Sequence, residues 1–88
     1  MKKTGTKPGE ITYELDITAD KVPYATRVTP FMFNDQKRFR ISVNGGDEHI
    51  FAWDPEVVQL RPLDDDAAIF PEDFIIELSD RLVKTVVV

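Results

Sequence analysis

Apolar and polar residues alternate with a period of two over much of the chain, and that period predicts strands rather than helices. From Glu10 to Thr18, Ile11, Tyr13, Leu15 and Ile17 fall on one face, with Thr12, Glu14, Asp16 and Thr18 on the other. This is a half-buried strand. Ala19-Asp20-Lys21 is a short polar connection, and Val22 to Pro30 reads as a second strand with Tyr24, Thr26 and Val28 on one face. Pro23 and Pro30 suggest that it lies at a sheet edge or that they mark strand ends, because proline cannot donate to a ladder. Phe31-Met32-Phe33 breaks the alternation and reads as a core-closing run or a loop anchor that ends at Asn34-Asp35.

Residues 37–53 read as a β-hairpin around Asn44-Gly45-Gly46, residues that tolerate positive φ in a tight turn. Its register is a fork. Phe39 and Ile41 alternate with Arg38, Arg40 and Ser42, and the second arm carries His49/Phe51/Trp53 and Ile50/Ala52. A change of one residue in loop length exchanges the faces of the second arm. A three-residue loop with a bulge puts His49, Phe51 and Trp53 beside Phe39 and Ile41, and Glu48 beside Arg38 and Arg40. That register buries more apolar area and brings opposite charges together, so it is the one expected.

Asp54-Pro55 ends the hairpin, and Val57, Val58, Leu60 and Leu63 suggest a short fifth strand. Asp64-Asp65-Asp66 reads as a loop. A helix is predicted from near Pro71, with Glu72 and Asp73 in its first turn and Arg81 and Lys84 toward its end, as the helix dipole favours. Phe74, Ile75, Leu78 and Leu82 form its apolar stripe. Thr85-Val86-Val87-Val88 is β-branched and is expected to leave it.

The expected fold is therefore α+β, an antiparallel meander sheet of four or five strands with one C-terminal α-helix packed on one face. Residues 1–9 read as a flexible N-terminal tail and residues 10–88 as one domain. The expected core is Ile11, Leu15, Ile17, Val28, Phe39, Ile41, Leu60, Phe74, Leu78 and Leu82. With 88 residues and no cysteine, that core is thin and has no disulfide to reinforce it.

Charge changes the picture more than composition does. The net charge is −5, but residues 1–40 carry eight Lys/Arg against five Asp/Glu, and residues 41–88 carry three against eleven. A +3 segment joined to a −8 segment gives a bipolar surface, suited to a charged partner or to a copy of itself head to tail. Nucleic acid is not an expected partner, because phosphate contacts need clustered Lys/Arg. No apolar run has the length of a membrane span, and Met1-Lys2-Lys3 is not followed by the apolar stretch of a secretion signal, so a cytoplasmic location is expected.

Catalysis is not expected. Ser42 and Ser79 are the only serines and His49 the only histidine, with no strained turn to present a nucleophile. One histidine cannot make a zinc site, the three aspartates lack the spacing of a calcium loop, and Gly45-Gly46 lacks the partners of a phosphate cradle, so no cofactor or metal is expected. Two features support binding instead. One is the aromatic and arginine set Tyr24, Arg38, Arg40, Phe51 and Trp53, residue types enriched at interface hot spots. The other is the C-terminal end, where Val86 and Val88 would add as a strand to a sheet edge. The leading expectation is a small non-catalytic protein–protein interaction module, with homodimerisation as one mode. The alternatives are a small-ligand-binding domain using the aromatic/arginine face, and an acidic decoy of a DNA-binding protein.

Overall fold

The computed structural model describes residues 10–63 and 70–85. The predicted tail, the aspartate loop and Val86–Val88 lie outside the described residues. Five strands, β1 (Tyr13–Ala19), β2 (Val22–Phe33), β3 (Gln36–Val43), β4 (Glu48–Asp54) and β5 (Gln59–Pro62), are followed by helix α1 (Glu72–Thr85). The strands pair in chain order, each antiparallel to the next, so the sheet is a five-stranded meander curled into a half-barrel. The α+β fold expected from the alternation is the fold observed.

Three tight turns set the registers, and all three use left-handed backbone. Asp20-Lys21 joins Ala19 to Val22, and Asn34-Asp35 joins Phe33 to Gln36, with both central residues at positive φ in each. That matches the right-handed twist of the flanking strands. At the third turn the Gly46 N–H donates to the Val43 carbonyl (2.9 Å), across Asn44 at φ 54° and Gly45 at φ 76°. Asp47 is the extra residue, so Ser42 pairs with Glu48 and Phe39 with Phe51. This is the odd-loop register, and it carries Phe51 into the core. Asn44 also continues the β2–β3 ladder by one step. Its N–H donates to the Ala25 carbonyl (2.7 Å), and its Oδ1 accepts the Ala25 N–H (2.9 Å).

One face of the sheet is apolar and packs on α1. Leu15, Ile17, Ala19, Val28, Phe39, Ile41, Phe51 and Leu60 meet Phe74, Ile75, Leu78 and Leu82 of the helix, all buried. Phe70 stacks on Phe51 and tilts against Phe74, closing the helix entrance. The Pro71 carbonyl accepts the first helical hydrogen bond from the Ile75 N–H (3.1 Å), so the helix begins just after the proline, near the predicted start.

The helix also reaches both outer strands. The Ser79 hydroxyl donates to the Ile75 carbonyl (2.7 Å) and accepts the Leu60 N–H (2.9 Å), a β5 donor that no strand faces. Arg81 Nη2 donates to the Asp16 carbonyl (3.2 Å), on the outer side of β1.

Three expectations are corrected. Ile11 is not core but 55% exposed, because β1 begins two residues after it. Of the two positions that its prolines allow, β2 is not an edge strand, since β1 and β3 flank it, while Pro23 does stand near its start. Its prolines are tolerated because each stands where one neighbour is missing. Pro30 lies beyond the start of β1, and Pro23 lies beyond the end of β3. Val57 and Val58 belong to the β4–β5 turn rather than to β5, and both are exposed. Asp54 Oδ1 caps that turn by accepting the Glu56 N–H (3.0 Å), and Val58 takes φ 55°.

Candidate functional site

Strand residues alternate between faces, so the registers define what the face away from the helix carries. One row runs straight across four strands. Phe31 of β2 pairs with Arg38 of β3, Arg38 with Ala52 of β4, and Ala52 with Arg61 of β5. The next row holds Thr29, Arg40 and Ile50, with Leu63 beside Ile50 through its N–H to the Ile50 carbonyl (3.0 Å). On the other side, Phe33 pairs with Gln36. The upper half of this open face is therefore a patch of aromatic and aliphatic side chains threaded with three arginines.

Two of the arginines are laid over rings. The Arg40 guanidinium lies 4.5 Å from the Phe31 ring centroid, and that of Arg38 lies 5.1 Å from Phe33. Each ring offers a guanidinium its negative face, which favours the planar stack. Arg40 also ion-pairs with Glu10, and the two side chains are only 19% and 17% exposed. Reduced solvent screening strengthens that pair relative to a surface one. Arg38 Nη2 donates to Gln36 Oε1 (2.9 Å), while its Nε is shielded from solvent without an acceptor. Among the described residues, neither Arg38 nor Arg61 has a carboxylate partner. Asp54, further along the face, is occupied in its own turn.

The lower half is polar. Glu14 and Arg27 pair at 3.4 Å in full solvent, and the Thr12 and Thr29 hydroxyls meet at 2.8 Å. An open groove of about 730 Å³ runs here past Asp16, Arg27, Arg40, Ser42 and Glu48. Acids and bases are mixed along it, and no group of three potential metal ligands occurs among the described residues.

The predicted binding set is divided by the sheet. Arg38 and Arg40 stand on the open face. Tyr24, Phe51 and Trp53 stand on the helix side, where Phe51 is fully buried, Tyr24 lies 4.6 Å from the Phe74 ring and Trp53 lies 6.3 Å from Phe39. Val86 and Val88 lie outside the described residues. The rings that accompany the arginines are Phe31 and Phe33 instead. A signal for them was present in the sequence. A two-residue turn at Asn34-Asp35 pairs residue 33 with 36, and hence 31 with 38. His49 sits edge-on to Phe70 at 5.4 Å on the helix side, and Ser42 faces the opposite way, so the two do not form a pair.

No helix among the described residues is long and apolar enough to cross a membrane. Comparison with protein-family models, with curated proteins and with solved structures gives no match to this chain.

Proposed function

We propose that this chain is a non-catalytic protein-interaction module that binds its partner on the open face of the sheet. The observation that carries the reading is the row Phe31–Arg38–Ala52–Arg61, which spans four strands on the face that α1 leaves uncovered. Aromatic and arginine side chains supply most of the energy of protein interfaces. Arg38 and Arg40 rest on rings, so part of their side-chain entropy is already lost before binding. Ala52, with its small side chain, lies between Arg38 and Arg61. The partner chemistry that fits is a carboxylate-bearing surface with apolar anchors.

Amide shift mapping by NMR, with the copolymer poly(Glu-Tyr) as probe, tests the reading. Shifts are expected at Phe31, Phe33, Arg38, Ala52 and Arg61, and they should vanish in a Phe33→Ser/Arg38→Ala variant with unchanged amide dispersion. Absence of binding, or shifts confined to the helix or the lower groove, would overturn it.

A further inference from the structure

Among the described residues, nothing covers the open face of the sheet or the outer side of the helix. On α1, Phe74, Ile75, Leu78, Ser79 and Leu82 point to the sheet. The outward side carries Glu72, Asp73, Glu77 and Asp80, flanked by Ile76 and Val83, which are 46% and 47% exposed. Lys84 pairs with Asp80 at 3.1 Å, and Arg81 is directed to β1. Glu72, Asp73 and Glu77 have no cationic partner among the described residues. This surface presents carboxylates beside aliphatic anchors at helical spacing, the chemistry that the open face calls for.

We infer that the partner of the open sheet face is a second copy of this chain, docked through the outer side of its helix. The inference rests on the binding role proposed above for that face. Charge complementarity selects this pairing over the symmetric ones. Two open faces placed together would gather the unpaired Arg38 and Arg61 of both copies in one interface. Two helices placed together would gather Glu72, Asp73 and Glu77 of both copies in one interface. Like charges at an interface suppress such pairings. Helix on sheet face sets the acids of one copy against the arginines of the next, and sets Ile76 and Val83 against Phe31 and Phe33.

The helix is long enough to cross the row. A 14-residue helix is about 21 Å long, and four strands span about 14 Å at the usual spacing. The two surfaces lie on opposite sides of the molecule, because the layers run from outer helix side to sheet to open face. One partner therefore cannot occupy both surfaces, and the contact is head to tail. The bipolar charge of the chain acquires a direction in this arrangement. One helix flank buries less than the roughly 800 Å² per partner of a standard interface, so the contact is weak, with a dissociation constant in the micromolar range or above.

Charge reversal tests it by sedimentation velocity from about 10 µM to about 1 mM. The native chain should show a mass that rises with concentration and falls with added salt. Arg38→Glu/Arg61→Glu should associate about a hundredfold or more weakly, and so should Glu77→Lys/Asp80→Lys. A 1:1 mixture of these two variants should recover association, and so should one chain carrying all four changes. A native chain that stays monomeric at about 1 mM would overturn the inference, as would a Glu77→Lys/Asp80→Lys variant that associates as the native chain does. If the monomeric chain still binds poly(Glu-Tyr) through its open face, the interaction role stands and only the identity of the partner is lost.

Discussion

Val58 occupies the left-handed region at φ 55° with its side chain in solvent. A β-branched residue there is strained, at a cost of about 1–2 kcal/mol, and no burial offsets it. Val58→Gly or Val58→Asn should therefore raise the unfolding free energy by about 1 kcal/mol, measured by urea denaturation. Ser79 is the opposite case. Serine is a poorer helix former than alanine by less than about 0.7 kcal/mol, yet its hydroxyl is the partner of the buried Leu60 N–H. Ser79→Ala leaves that donor unsatisfied at a cost of about 1–3 kcal/mol. The net effect should be a loss of about 1–2 kcal/mol, and a stabilised variant would show that water replaces the hydroxyl. Asn44 does two things that can be separated. Asn44→Gly keeps the positive φ and loses only the side-chain bond to Ala25, whereas Asn44→Ala loses both. The alanine variant should be the less stable by about 1 kcal/mol in thermal melts.

Among the elements, the ones easiest to read in the sequence were those with one clear face. β1 and the first arm of the 37–53 hairpin alternate clearly, and their buried sides agree with the pattern except at Ile11. The hairpin register followed from buried apolar area and from the charges it brings to one face, although Glu48 stands opposite Ser42 and Arg40 pairs with Glu10 instead. β2 was harder, because apolar residues occur on both of its sides at Phe31-Met32-Phe33. Period-two reasoning assumes that one face is polar, and here Phe31 and Phe33 stand on the open side with the arginines. The candidate surface was thus half legible. Arg38 and Arg40 were identified, but their rings were sought on Phe51 and Trp53, which share strands near them but not their face. Val57 and Val58 misled for another reason. Apolar composition says strand, while the geometry of a four-residue turn is set by the Asp54 side chain and by proline. The two type I′ turns without glycine, at Asp20-Lys21 and Asn34-Asp35, rest on weaker turn residues than Asn44-Gly45. Lys21→Gly should therefore stabilise the β1–β2 hairpin, detectable as a higher melting temperature, with Lys21 relieved of φ 68°.

At the scale of the molecule, one helix supplies four of the twelve buried hydrophobic core residues among those described. A domain of this length has a total stability of roughly 4–13 kcal/mol. Leu78→Ala, at a fully buried position facing the sheet, should cost about 2–5 kcal/mol. The variant should be partly unfolded at 37 °C, with circular dichroism and Trp53 fluorescence changing together, because sheet and helix share one core.

The bonds from Ser79 to Leu60 and from Arg81 to Asp16 have a consequence for what happens when the fold opens. A meander that does not close into a full barrel has two raw borders, each a template for strands of other molecules. Here a single element shields parts of both. Detachment of α1 would bare those borders and the apolar interior in one step, so the same transient opening that exposes amides to exchange would also seed fibrils. The rate of amyloid formation at high concentration should then track the population of the helix-detached state, and substitutions that pin the helix should slow it without altering any strand.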